Sequence, residues 1–485
     1  MNRCVSVAGH DVSTAHYING RRVGSTATFE DRSPIDQNLL AEVSRGDAAI
    51  ADQAITAAVE AFPAWAALGP AERAPYLHRL ADLIDLHSDG IAEVECLDMA
   101  MLERSLKARV IGRGARNFRA YADLACAYVE RDWVSNGTRN RVIRNPSGPA
   151  VVITPWNAPF MLSTWKAAPA LAAGCSVVLK PAEWSPLSCS LLFDLVDEAG
   201  FPPGVFNLVQ GIGSEVGAAL VSDRRVRRLS FTGSAETARQ IGRAGADNIV
   251  PFTAELGGKN PFIIFADADL DAAAAKAALQ YDDAGQVCLS GTRLLVDETV
   301  AADFLQRFQA QVDRHVLGDP REQMTTISPL IHADHLARVS GFVERARERG
   351  DKIMRGGRQP DIGGLWYEPT LIRPISNDSE IVQCEVFGPV LTIQTFANED
   401  QAIMLANSTA YGLSGIVFTA SAERAERVGR AVRAGTLWVN CFLVRDLTAP
   451  FGGAGISGIG REGGDYALDF YSDLKTLQIL EGTTE

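Results

Sequence analysis

The stretch Val177-Val178-Leu179-Lys180-Pro181-Ala182-Glu183 decides how this chain folds. Three consecutive apolar residues read as a strand buried on both faces, and a lysine and a glutamate follow just where it stops. The same grammar recurs on either side. Val151–Ile153, Val205–Leu208, Arg228–Phe231 and Pro251–Glu255 are further strand candidates, and helical patterns such as Ser188–Ala199, Ser214–Leu220 and Ala235–Ala244 lie between them. This alternation predicts an α/β fold with a doubly wound parallel sheet, in which ligands bind outside the carboxyl ends of the strands.

Upstream, residues 1–47 read as an irregular arm with a hairpin at Tyr17–Val23, turned by Asn19-Gly20. Ala48–Trp65 reads as an amphipathic helix with Asp47 as N-cap, and more helix runs to about Val129. Downstream of Cys288 a second alternating block holds Thr292–Val296, Val390–Phe396 and Leu437–Asn440. At 485 residues the chain exceeds what one core serves, so two or three domains are expected. A net charge of -13 disfavours nucleic acid and anionic membranes as partners. No apolar run is long enough to span a bilayer, and the opening residues do not read as a signal peptide. Eight scattered cysteines without a C-x-x-C pair, and seven histidines without a ligand-like cluster, predict a reduced, cytoplasmic, metal-free protein.

The chemistry gathers on strand ends. Glu255 lies in Glu255-Leu256-Gly257-Gly258-Lys259 and Cys288 in Gly285-Gln286-Val287-Cys288. Glycines beside reactive groups allow close backbone approach, and a thiol near a carboxylate supplies a nucleophile and a water-activating base. Lys180 and Glu183 are placed to meet a ribose or phosphate, although an ordinary solvated pair has the same sequence. Gly233-Ser234 opens a helix and offers an anion site, although simple capping also accounts for it. Asn157, stiffened between Pro155 and Pro159, is either a fixed donor for a developing oxyanion or a turn residue.

Together Thr154–Asn157, Leu179–Glu183, Phe231–Ser234, Glu255–Lys259, Gly285–Cys288, Glu385–Pro389 and Pro450–Gly453 form one ordered series over nearly the whole chain. That series resembles the aldehyde dehydrogenase superfamily. The resemblance implies a Rossmann-like NAD-binding domain (residues 1–127 and 147–255), a second α/β catalytic domain (256–458) and a small β oligomerisation arm (128–146 and 459–485). It also implies that Cys288 is the nucleophile, that Asn157 and the Cys288 amide hold the oxyanion, and that Glu255 activates water against a thioester. Thr154, Pro155, Trp156, Lys180, Glu183, Gly233, Ser234, Leu256, Glu385 and Phe387 would line the cofactor cleft. Glu183 would repel a 2′-phosphate, so NAD is expected over NADP. With the arm adding a strand to a neighbour, a homodimer or homotetramer is expected.

The chain departs from the usual pattern at Ala238, where a second glycine is common, and at Asp282-Asp283, which are more acidic than usual. The aspartates read as a solvated helix end; pointed inward, they would raise the Cys288 pKa.

For the substrate, Arg445-Asp446-Leu447 resembles the branch acting on muconic semialdehydes, which carry a carboxylate. Arg113 follows Leu102, Leu106 and Val110 by eleven, seven and three residues, which turns it to an apolar helix face unless Gly112 and Gly114 break the helix. A buried arginine needs an anion, either a substrate carboxylate or a structural partner. Trp165 is either a tunnel wall or a core residue. The rival readings are the same chemistry on a neutral aromatic or aliphatic aldehyde and, from another class, a cysteine hydrolase.

Overall fold

The computed structural model describes residues 4–480, so the outermost residues of the segments 1–127 and 459–485 lie outside the described residues. The alternation around Val177 becomes an eight-stranded sheet. Its spatial order is Gly458–Ile459, Phe252–Glu255, Arg228–Thr232, Ala150–Ile153, Val177–Lys180, Phe206–Leu208, His16–Ile18 and Arg21–Val23. The five strands from Phe252 to Leu208 in that order are parallel; the flanking strands pair antiparallel.

The apolar runs are continuous because both faces of this sheet are covered. Val177 and Leu179 pack with Ala167, Ala170 and Leu171 of the helix Pro159–Ala173. Val178, pointing the other way, packs with Ala51, Ala54 and Ile55 of the helix Ala48–Ala67. Each such valine or leucine contributes about 1.5–3 kcal/mol by leaving water. Asp47 caps the latter helix as expected, accepting from the amides of Ala49 and Ile50 at 3.0 Å.

Connectivity places the crevice. From Ala150–Ile153 the chain steps outward to Val177–Lys180 and Phe206–Leu208, then returns to lay Arg228–Thr232 on the other side of its starting strand. The loops leaving Ile153 and Thr232 therefore diverge, as at any topological switch point.

A second sheet runs in the order Lys352–Arg355, Thr370–Arg373, Val390–Phe396, Arg293–Asp297, Pro261–Ile264, Ser414–Phe418 and Thr436–Val439, parallel except at its first pair. The segments Glu255–Lys259, Gly285–Cys288 and Glu385–Pro389 run just ahead of the amino ends of three adjacent strands. The site is built where these approaches meet the carboxyl ends of the first sheet. A third, antiparallel sheet joins Arg131–Ser135, Thr138–Pro146 and Ser472–Leu480, and leaves Trp133, Val134 and Leu474 exposed. Among the described residues no helix is long and apolar enough to cross a membrane.

Two local forms were not evident from the sequence. The helix expected at Ser214 opens with a π turn, Gly213–Gly217, before Ala218–Ser222. A second π turn, Leu106–Val110, precedes the helix of Arg113, which runs unbroken from Ile111 to Ala127. Gly114 does not break it; the ring of Phe160 occupies the space a Cβ there would need.

Candidate active site

Glu255 ends its strand beneath the crevice with only 5% of its surface exposed, and neither carboxylate oxygen has a hydrogen-bond partner. Burial, reinforced by the nearby charge of Glu462, pushes its pKa well above the usual carboxylate range. Past it the chain must be glycine: a Cβ on Gly257 would collide with the carboxylate of Glu385, whose Oε1 accepts from the Gly258 amide at 2.8 Å. Burial pushes the Glu385 pKa up to about 7.

Cys288 is half-buried on a loop that is pinned from several sides. Asn260 Nδ2 donates to the carbonyls of Cys288 at 2.8 Å and Ser290 at 2.9 Å, while Gln286 Oε1 accepts from the Ile331 amide at 3.0 Å. Asn157 Nδ2 donates to the Gln286 carbonyl at 2.9 Å, which brings the predicted oxyanion donor onto the nucleophile loop. The thiol pKa is pushed up to about 12, first by burial and then by the charges of Glu385 and Glu255; Arg445 opposes them.

The two aspartates ahead of this loop correct the sequence expectation of a solvated helix end. Asp283, Ala284 and Gly285 are consecutive left-handed residues, with φ of 51°, 54° and 68°, and they turn the chain inward. Asp283 is 6% exposed, 3.8 Å from Arg109 Nη2 on the π turn. Burial raises both carboxyl pKa values, that of Asp282 to about 7. The charges that raise the Cys288 pKa are nonetheless those of Glu385 and Glu255.

Arg113 and Arg445 come together on Trp165. Their guanidinium carbons lie 5.8 Å and 5.3 Å from its ring, and Arg445 also lies 3.8 Å from the ring of Phe451. Neither has a carboxylate within ion-pair distance among the described residues, and the buried Arg445 Nε has no hydrogen-bond partner. Burial, then the charge of Arg445, pushes the Arg113 pKa down to about 10; burial lowers that of Arg445 too. Trp165 is a core residue, 4% exposed, its Nε1 donating to Glu462 Oε2 at 2.6 Å.

Glu462 and Lys166 escaped the sequence reading. The buried Lys166 Nζ donates to Glu462 Oε1 and, at 3.1 Å, to Ser230 Oγ. Both carried a signal. Lys166 is the only charged residue in its helix, and Glu462 precedes Gly463-Gly464 much as Glu255 precedes its glycines. Arg338, whose Nη2 donates to the Glu385 carbonyl at 2.6 Å, was also missed.

The expected cofactor residues are held in different ways. Lys180, 1% exposed, donates through Nζ to Glu183 Oε2 at 3.2 Å and to the Pro181 carbonyl at 2.9 Å. Ser234 caps its helix by accepting from the Thr237 amide at 3.1 Å, and the Gly233 amide donates to the Glu255 carbonyl. The Thr154 hydroxyl is engaged with Ser163 at 2.9 Å; Pro155 is half-buried and Leu256 buried. The ring of Trp156 meets that of Phe387 edge-on at 5.4 Å. A switch-point crevice, a half-exposed carboxylate at Glu183 and a second at Glu385 fit a dinucleotide with two riboses.

Comparison with known proteins gives the same picture. Residues 22–477 match the aldehyde dehydrogenase family. A 2-hydroxymuconic semialdehyde dehydrogenase of Pseudomonas sp. (strain CF600) is 39% identical over 478 residues, covering 95% of this chain and 98% of that protein. A betaine aldehyde dehydrogenase of Bacillus subtilis (strain 168) is 41% identical over 456 residues, covering 91% and 92%. The crystal structure of betaine aldehyde dehydrogenase from Staphylococcus aureus in complex with NAD+ superposes with a TM-score of 0.95 at 36% identity, covering 98% of this chain and 96% of that one.

Proposed function

The chain belongs to the aldehyde dehydrogenase family, and on that premise we propose that it oxidises a carboxylate-bearing semialdehyde of the muconic class to the acid, with NAD preferred over NADP. The observation that carries the substrate is the pair Arg113 and Arg445, two half-buried cations with no carboxylate at ion-pair distance among the described residues, meeting on Trp165. A substrate carboxylate held by both would compensate charges that are otherwise costly to bury. An aldehyde bearing a quaternary ammonium, such as betaine aldehyde, would meet two like charges there.

Cys288 attacks the aldehyde carbon as a thiolate. Burial, then the charges of Glu385 and Glu255, pushes its thiol up to about 12, so the resting protein holds little of that form. Asn157 Nδ2 and the Cys288 amide hold the oxyanion. Bound in the cleft, NAD supplies the hydride acceptor. Glu255 then takes a proton from water as that water attacks the thioester, a task for which its raised pKa makes it a stronger base. Lys180, Glu183, Glu385, Ser234 and Phe387 hold the cofactor, and Glu183 repels a 2′-phosphate.

The exposed Trp133 and Leu474 of the third sheet support assembly into a homodimer or homotetramer through that sheet. Eight free cysteines support a reducing, cytoplasmic setting.

The test is NADH formation over paired aldehydes with and without a distal carboxylate, repeated with NADP. A preference for the carboxylated member and for NAD is expected; equal kcat/KM within pairs refutes the arginine reading.

A further inference from the structure

Aromatic rings tie the two sheets together beside the cofactor cleft. Trp184, directly after Glu183, stacks face to face on His332, with centroids 4.6 Å apart and planes 9° from parallel. Trp184 also lies 6.1 Å from Trp156, which meets His335 at 5.3 Å and Phe387 at 5.4 Å. His335 Nε2 donates to the Phe387 carbonyl at 2.7 Å, and the Ser185 hydroxyl donates to the Trp156 carbonyl at 3.1 Å. The two tryptophans leave the carboxyl ends of strands in the first sheet. His332, His335 and Phe387 belong to the second: His332 is the N-cap of the helix Ala333–Glu348, its Nδ1 accepting from the Asp334 amide at 3.2 Å.

The ring series is thus fixed at one end beside Glu183 and at the other two residues past Glu385, the carboxylates placed to meet the two riboses. A ligand held between those carboxylates has this bridge beside both of its ends. We propose that Trp184 and His332 form a clasp across the cleft, whose opening sets the rate at which the dinucleotide enters and leaves. The proposal rests on the dinucleotide reading above. One ring rides on a loop past Lys180 and the other on a helix start, and the two meet face to face.

The test is stopped-flow release of NADH from the full-length protein, followed by nicotinamide fluorescence on displacement with excess NAD. Trp184→Leu removes one ring, and His332→Asn removes the other while keeping a side chain that caps the helix. Each variant should release NADH about 2- to 12-fold faster, the range an aromatic pair of this kind supports. The double variant should be no faster than either single one, because each removes the same stack. Unchanged release or multiplied effects in the double variant each overturns the clasp. If the unmodified protein binds neither NADH nor NADPH, the dinucleotide reading fails and takes the clasp with it; tight binding with unchanged release overturns the clasp alone.

Discussion

Replacing Arg445 by methionine removes a buried guanidinium while leaving an unbranched stem against Trp165 and Phe451. A hydrogen bond to a charged group contributes about 1.5–3 kcal/mol. At about 1.4 kcal/mol per factor of ten, kcat/KM for a carboxylated aldehyde should fall roughly 10- to 150-fold. Most of that loss should lie in KM, because the carboxylate is gripped in ground and transition states alike. Arg445 also lowers the Cys288 pKa, so its loss slows thiolate formation on every substrate; the ratio between a carboxylated aldehyde and its uncharged analogue cancels that effect. Stability offers a second check. Breaking a buried ion pair costs about 3–5 kcal/mol because a charge is stranded, but Arg445 has no carboxylate at ion-pair distance among the described residues to strand. The melting temperature should therefore hold or rise. Equal losses on both aldehydes, or a marked drop in melting temperature, would place Arg445 in the scaffold and refute the reasoning.

Glu462→Gln removes the charge that, after burial, most raises the Glu255 pKa. Glu255 should then ionise at lower pH, so the acid limb of thioester hydrolysis in single-turnover experiments should move down; a limb that stays or moves up contradicts the assignment. Glu385→Gln should favour the Cys288 thiolate, since Glu385 is the leading charge raising its pKa. Iodoacetamide alkylation of the cofactor-free protein should accelerate, more so above pH 7 than below it, because the Glu385 carboxyl is itself pushed up to about 7. An unaltered or slower alkylation rate counts against the coupling.

The sheets were legible in the sequence because strands buried on both faces leave uninterrupted apolar runs, as at Val151–Ile153 and Val177–Leu179. The helix of Arg113 runs unbroken through Gly112 and Gly114, but the π turn at Leu106–Val110 shifts the spacing from which its facing is read. The turn before Cys288 was not legible. Left-handed backbone at Asp283 and Ala284 is set by what packs around it, and neither residue announces it as glycine would. The Lys166–Glu462 pair spans 296 positions, and no local pattern couples residues so far apart. The π turn at Leu106–Val110, which brings Arg109 to Asp283, is a tertiary accommodation of the same kind.

The raised pKa of the Cys288 thiol bears on durability. Peroxides and disulfides consume sulfur chiefly in its anionic form, so a sulfhydryl held at about 12 is a poor target while the enzyme stands idle. Cys96 and Cys189 are sealed in the interior, and Cys4 and Cys126 lie at the surface. Under oxidative stress the outer thiols should be spent first, leaving catalytic capacity intact until turnover exposes the sulfur to attack.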